Sequence, residues 1–329
     1  MQIYHDIQDF KPLQNAVVTI GTFDGVHLGH RKIINRLQEV ARQTGGETVI
    51  LTFFPHPRLI LHPEDQNLKL ITTIAEKAKL LEELGIDHLI ITPFSRDFSN
   101  LSAEEYISEM LVNRIGTKKI VIGYDHRFGK DRSGGLAELQ QYASVYNYQV
   151  EEIPEQDVNE VAVSSSRIRK SMLSGETQLA NQFLGYAFFI TGKVIRGDQI
   201  GRTLGYPTAN LFIEESYKLI PADGIYAVEV EVVTDTLNVV SSREQINLKY
   251  KTPNVKLLGM AYIGHRPTIN GMTRNIEVNI FDFNEDIYNQ TLQMNFHAFI
   301  RHDVKFNGLA ELTEQLGRDK ENVLSFFNR

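Results

Sequence analysis

Two hydrophobic rhythms meet near residue 185, and one sheet cannot serve both. Before that point, short apolar runs alternate with segments of helical period. The runs Val17–Gly21, Thr48–Phe54, His88–Pro93, Lys119–Gly123 and Tyr148–Ile153 read as strands. Between the first two, Ile33, Ile34, Leu37, Val40 and Ala41 recur at spacings that share one helical face. A further helix is expected over Ala103–Ile115. It opens with Ser102 and Glu105, a capping box in which hydroxyl and carboxylate satisfy orphan N–H groups. This alternation predicts an α/β fold with a doubly wound parallel sheet. Such sheets take ligands beyond the carboxyl ends of their strands, where the strand order reverses.

After residue 185 the strands follow one another: Phe188–Ile195, Gly224–Val233, Val255–Gly264, Asn275–Phe283 and Thr291–Arg301. A last helix runs from about Leu309 to Phe327, with Leu309, Leu312, Leu316, Val323 and Phe327 on its apolar side. A small antiparallel β-barrel with a C-terminal helix is the expectation. The domains are therefore drawn at 1–185 and 186–329, and 329 residues suffice for two cores. Thr234–Pro253 is polar and weakly patterned, and reads as a surface loop or hairpin between strands.

The net charge of −7 offers no positive field for a nucleic acid, so small-molecule substrates are expected. With no cysteine, disulfides and thiolate metal sites are excluded. The first residues are polar, without the apolar stretch of a signal peptide, and no apolar run approaches the ~20 residues that cross a bilayer. A cytoplasmic enzyme with no membrane partner is expected. The sequence does not set the oligomeric state.

Residues 21–30 read GTFDGVHLGH between the first strand and the first helix. Glycines permit close approach to a ligand, and a helix start offers free N–H groups and a positive dipole end to phosphate. His27 and His30 lie three apart, so they face one side of a first turn. A pair at that spacing alone is more often two histidines bonded to backbone. The whole string is more specific: it resembles the HxGH motif of the nucleotidylyltransferases in its FMN adenylyltransferase form. The resemblance implies that His27 and His30 hold phosphates while a substrate phosphate attacks the α-phosphate of ATP. Gly21, Phe23, Asp24 and Gly29 would then contact nucleotide, although Asp24 reads equally as a cap of the loop. Ser164–Lys170 reads SSSRIRK and resembles a second family element that binds the β- and γ-phosphates. It implicates Ser164, Ser165, Ser166 and Arg169, with Ser166 in place of the usual threonine. Pro55 after the second strand, and Asp125 and Phe128 in GYDHRFG after the fourth, are the implied flavin contacts. Phe128 reads equally as core. His126 stands where the family has phenylalanine, and Phe54 where an acidic residue is expected.

Residues 192–210 read GKVIRGDQIGRTLGYPTAN. The string is no Walker A motif, since Gly-Lys-Ser/Thr is missing, and by itself it is only a glycine-rich loop. Its latter part resembles the riboflavin kinase signature. This implies nucleotide contacts at Gly192, Gly197, Gly201, Arg202, Gly205 and Pro207, with Thr208 and Asn210 facing both the ATP phosphates and Mg2+. A hydroxyl and an amide carbonyl are the hard oxygen donors that Mg2+ prefers. In Arg274–Phe283, Ile276, Val278 and Ile280 share a face and Glu277 lies opposite. A lone strand carboxylate is usually a surface partner. The resemblance, strengthened by Arg266-Pro267-Thr268, makes Glu277 the base for the riboflavin 5′-hydroxyl. Arg301 and Phe306 in IRHDVKF are implied at the isoalloxazine, with Asp303 in place of glutamate and IYN at 287–289 in place of LYG. The chain as a whole thus resembles the bifunctional riboflavin kinase/FMN adenylyltransferase family. Riboflavin, FMN, FAD and ATP are the implied substrates and products, and Mg2+ the implied cofactor. Two other readings are an HxGH transferase with a different phosphorylated acceptor, and a flavin-binding storage or sensor protein.

Overall fold

The computed structural model describes residues 1–329 apart from 65–66, 155–162, 198, 236–249, 252–255, 269–270 and 329. The described residues form two compact units, Met1–Ser164 and those from Ser165 onward.

The first unit is built on six strands: β1 Gln2–Tyr4, β2 Ala16–Ile20, β3 Glu47–Phe54, β4 His88–Pro93, β5 Thr117–Gly123 and β6 Gln149–Ile153. They lie in the order β1-β4-β3-β2-β5-β6, and every pairing is parallel. Every residue of β2 is buried, as is His88–Thr92 of β4, because helices cover both faces of a parallel sheet. That is why these strands read as mostly apolar runs, in which even Thr19, His88 and Thr92 are buried. From β2 the chain goes to β3 and β4 on one side and later to β5 and β6 on the other. The switch point therefore falls at the carboxyl end of β2. Here α1, Leu28–Thr44, begins; it buries Ile34, Leu37, Val40 and Ala41 and ends at Gly45. The next long helix, α2, is Ile74–Glu83, opened by a capping box of Thr73 and Glu76. The expected capping box at Ser102 and Glu105 is present, but only Ala103–Glu105 is α-helical. Tyr106–Ile115 continues as a π-helix. A third helix, α3, Leu136–Tyr146, precedes β6.

The second unit opens with α4, Ser165–Leu173, and α5, Thr177–Leu184. Seven strands follow: β7 Phe188–Ile195, β8 Ala209–Phe212, β9 Gly224–Asp235, β10 Tyr250–Lys251, β11 Leu257–Thr268, β12 Gly271–Ile280 and β13 Thr291–Arg301. They run β10-β9-β11-β12-β8-β7-β13, all antiparallel, and β13 also pairs with β9. This last pairing closes six of them into a barrel, while β10 extends β9 at its far end. Closure leaves the six without a free edge. The core holds Phe188, Tyr226, Phe296 and Met294, while the final helix, α6 Leu309–Phe327, packs Val323 in a separate cluster with Ile225, Ala227, Met260, Phe281 and Ala298. Within the polar stretch Thr234–Pro253, Thr234 and Asp235 pair with Lys251 and Tyr250. Its residues 236–249 and 252–253 lie outside the described residues. No helix among the described residues is long and apolar enough to cross a membrane.

Candidate active sites

In the first unit, the loop from Gly21 to His27 joins β2 to α1 at the switch point. Gly25 takes φ +85°, and a Cβ there would lie 2.9 Å from Ile71. Glycine alone meets both demands. Asp24 is buried, and its two carboxylate oxygens accept from the backbone N–H groups of Ile71 at 3.1 Å and Thr72 at 3.2 Å. The Gly25 N–H donates to Thr72 Oγ1. Asp24 thus ties the loop to the segment before α2. Phe23 is buried with its ring centroid 5.0 Å from that of His30, over the space left by Gly21.

His27 caps α1: its Nδ1 accepts from the His30 N–H at 3.4 Å. The two imidazoles stack at 3.6 Å and 15°. His30 Nδ1 is buried without a hydrogen-bond partner. Burial first, and then the charges of His27 and Lys77, hold the His30 imidazole well below its ordinary pKa. It is therefore neutral at pH 7, an N–H donor rather than a cation. Gly29 lies buried in the first turn of α1.

Ser164 precedes α4; Ser165, Ser166 and Arg169 lie on it, in the second compact unit. Arg167 stacks its guanidinium 4.8 Å from the Phe183 ring centroid, joining α4 to α5. Pro55 is exposed just beyond β3, and Asp125 is exposed just beyond β5. Phe128 packs into the core with its centroid 5.0 Å from that of Tyr106. His126 lies near-parallel to it at 5.7 Å, and burial lowers its pKa to about 4.

In the second unit, pairing of β8 with β12 sets Asn210 opposite Glu277. Thr208 Oγ1 donates to Glu277 Oε2 at 3.1 Å, and Asn275 Nδ2 donates to Glu277 Oε1. Asn279 Nδ2 holds the Pro207 carbonyl at 2.7 Å, pinning the turn into β8. Glu277 and Asn210 are each 7% exposed. Glu277 escapes the usual fate of a strand carboxylate because both faces of β12 are covered: Ile276, Val278 and Ile280 are buried on one and Glu277 and Asn279 on the other. Gly197 stands against Asn210: a Cβ there would lie 2.3 Å from its Nδ2. Gly201, Arg202 and Gly205 lie in or beside the short helix Ile200–Thr203. Gly192 is not in this loop. It sits inside β7 opposite Leu292, where a Cβ would strike the Phe212 carbonyl, so the missing side chain serves strand packing.

A cavity of about 330 Å³ opens beside Thr208 and Glu277, with Tyr262, Arg301, Phe306 and Leu316 among its walls. Arg301 is also a tie: its Nε and Nη2 grip both oxygens of the fully buried Asp319 at 2.8 and 2.6 Å, fastening β13 to α6. Asp303 accepts from Tyr262 at 3.0 Å. Among the described residues no group of three or more His, Asp or Glu side chains is placed to hold a metal ion.

Sequence reasoning missed Lys77, Thr52, Asn275 and Asn279, which surround or support the expected residues. The capping box at Thr73 and Glu76 was readable and would have placed the start of α2.

A doubly wound sheet with stacked histidines at its switch point, joined in one chain to a closed barrel with a hydroxyl–carboxylate pair at a cavity, describes a two-module nucleotide-dependent transferase. Residues 9–167 match the FAD synthetase family and residues 184–327 the riboflavin kinase family. A bifunctional riboflavin kinase/FMN adenylyltransferase of Listeria monocytogenes is 35% identical over 95% of this chain and 93% of that relative. One of Escherichia coli strain K12 is 34% identical over 96% and 94%. A solved structure from Streptococcus pneumoniae, described as a macrolide-efflux protein, has a TM-score of 0.82 at 32% identity and covers 97% of each chain. The chain belongs to the bifunctional riboflavin kinase/FMN adenylyltransferase family.

Proposed function

We propose that residues 186–329 phosphorylate riboflavin to FMN with ATP, and that residues 1–185 adenylylate FMN to FAD with a second ATP. The observation that carries this reading is the Glu277 carboxylate, set opposite Asn210 by the β8–β12 pairing and held by Thr208, beside a cavity of about 330 Å³ that Thr208 and Glu277 help to line.

In the kinase site Glu277 takes the proton of the riboflavin 5′-hydroxyl as its oxygen attacks the γ-phosphorus and ADP leaves. Phosphoryl transfer asks mainly for positioning and charge neutralisation, so one held carboxylate is enough protein chemistry. Thr208 orients that carboxylate. The donor set fits Mg2+: the hydroxyl of Thr208 and the amide oxygen of Asn210 are hard ligands, and the space that Gly197 leaves around Asn210 supports the role. When bound, Mg2+ neutralises phosphate charge. The cavity walls Tyr262, Phe306 and Leu316 suit a flat aromatic ring system.

In the adenylyltransferase site the FMN phosphate attacks the α-phosphorus of ATP and pyrophosphate leaves. His27 and His30 donate to phosphate oxygens beside the start of α1, whose N–H groups and dipole favour the same charge. Ser164, Ser165, Ser166 and Arg169 would hold the β- and γ-phosphates. Pro55 and Asp125 remain candidates for flavin contact. The partners on this reading are small molecules, and a cytoplasmic setting agrees with soluble substrates.

The test is incubation with riboflavin and Mg-ATP, with flavins separated over time. FMN should rise first and FAD follow at its expense. Riboflavin that stays unconverted under these conditions overturns the proposal.

A further inference from the structure

The buried lysine of the first unit takes no part in the chemistry above. Lys77, on α2, is 4% exposed. Its Nζ lies 2.6 Å from the Thr22 carbonyl oxygen and 3.3 Å from Thr52 Oγ1, and that hydroxyl donates to the same carbonyl at 3.2 Å. Taking an ammonium out of water is costly unless its surroundings repay it. The carbonyl it holds belongs to the second residue of the loop between β2 and His27. The neighbouring segment grips the same loop twice more, through the Ile71 and Thr72 N–H groups on Asp24 and through Thr72 Oγ1 on Gly25. The loop is therefore fastened to residues 71–77 at Thr22, Asp24 and Gly25.

We propose that Lys77 is a positioning residue for adenylyl transfer: its ammonium fixes the Thr22 carbonyl, and through it the loop that aims His27 and His30. Electrostatics agree. Burial lowers Lys77 to about pKa 8, partly offset by Asp24, so the side chain is mostly charged at pH 7. The groups that face His30 are the His27 ring, the Phe23 ring and the Lys77 charge, and that charge helps to hold His30 neutral. The inference rests on assigning adenylyl transfer to His27 and His30. Failure of the wild-type chain to make FAD from supplied FMN would sink that assignment. An indifferent Lys77 in an active chain sinks only this one.

The experiment uses the full chain and two variants, Lys77→Met and Thr52→Val. FAD formation from FMN and ATP is measured across pH, with thermal melting as the structural control and riboflavin phosphorylation as the activity control. Lys77→Met should lower kcat for FAD formation about 10- to 100-fold, the scale of a misplaced catalytic group, with riboflavin phosphorylation intact. Loss of a like charge raises the His30 pKa, so the limb of the pH profile that His30 controls should move to higher pH. Thr52→Val keeps the charge, so it should lower kcat less and leave that limb in place. An unchanged kcat in Lys77→Met overturns the proposal, as does a loss equal at every pH that tracks a lowered melting temperature. If Lys77→Met does not fold, Thr52→Val decides: wild-type kcat in that variant overturns the proposal, and a lower kcat at unchanged melting temperature supports it.

Discussion

Replacing Glu277 by glutamine keeps its shape, its place opposite Asn210 and an oxygen for Thr208 to donate to, while removing the charge. If that charge takes the 5′-hydroxyl proton, FMN formation should fall about 10²- to 10⁴-fold, the usual cost of losing a general base. FAD formation from supplied FMN should stay near the wild-type rate. A Gln variant that makes FMN at the wild-type rate removes Glu277 from the role of base. The residue was legible because Ile276, Val278 and Ile280 mark the face opposite to it, and because a family string surrounds it. Its neighbours were not: Asn275 and Asn279 are ordinary polar residues in sequence, and only the register of β12 turns them toward Glu277 and Pro207. Lys77 was hidden for another reason. Lysine in an amphipathic helix normally reaches water, and IAEKAKLLEE offers no hint that this one points inward to the Thr22 carbonyl.

Among the elements, the glycine-rich loop before β8 makes the sharpest demand on the chain. In Gly197→Ala the new methyl would sit 2.3 Å from Asn210 Nδ2 and 2.5 Å from its Cγ, closer than any real contact, so the loop or Asn210 must move. Overpacking of this kind costs about 1–3 kcal/mol. If the cost falls on the arrangement that binds Mg-ATP, riboflavin phosphorylation should drop about 5- to 150-fold, with a raised KM for ATP and unaltered FAD synthesis from FMN. Wild-type kinase parameters would show that Asn210 can move without consequence for nucleotide. The long strands of the first sheet were legible because burial on both faces leaves clusters of β-branched and aliphatic residues, as in Val49-Ile50-Leu51 and Leu89-Ile90-Ile91. Gln2–Tyr4 and Ala209–Phe212 were missed, being too short for any period to show. The barrel's closure could not be read either. It depends on β9 meeting β13 across intervening strands, and strand patterning says which face is buried but not which partner is beside it. The π-helical course of Tyr106–Ile115 has a side-chain pattern that also suits an α-helix, so sequence could set its capping box but not its winding.

At the scale of the whole molecule, the change of sequence rhythm near residue 185 and the start of the second compact unit at Ser165 are separated by α4 and α5. Those helices have helical period, which groups them with the first half in sequence, yet their packing belongs with the barrel. Asn181 joins them to it twice: its Nδ2 donates to the Phe296 carbonyl of β13, and its Oδ1 accepts from the Phe188 N–H at the start of β7, both at 2.8 Å. The Ala222 N–H donates to the Met172 carbonyl at 3.0 Å, and Gly175 between the helices lies against Phe299. Ile168, Met172 and Leu184 are fully buried and Phe183 nearly so. Each such side chain is worth about 1.5–3 kcal/mol of burial, against a total stability of about 5–15 kcal/mol for a domain. Removing the pair should therefore consume most of the margin of the barrel. The expected outcome is that a fragment 165–329 melts cooperatively and phosphorylates riboflavin, whereas a fragment 186–329 melts at a clearly lower temperature or fails to fold. Neither should make FAD, since His27 and His30 are gone. Circular dichroism melts and a riboflavin phosphorylation assay on the two fragments check this. Equal melting temperatures and equal kinase rates would mean that α4 and α5 rest on the barrel without supporting it, and that the kinase module begins where the sequence rhythm changes.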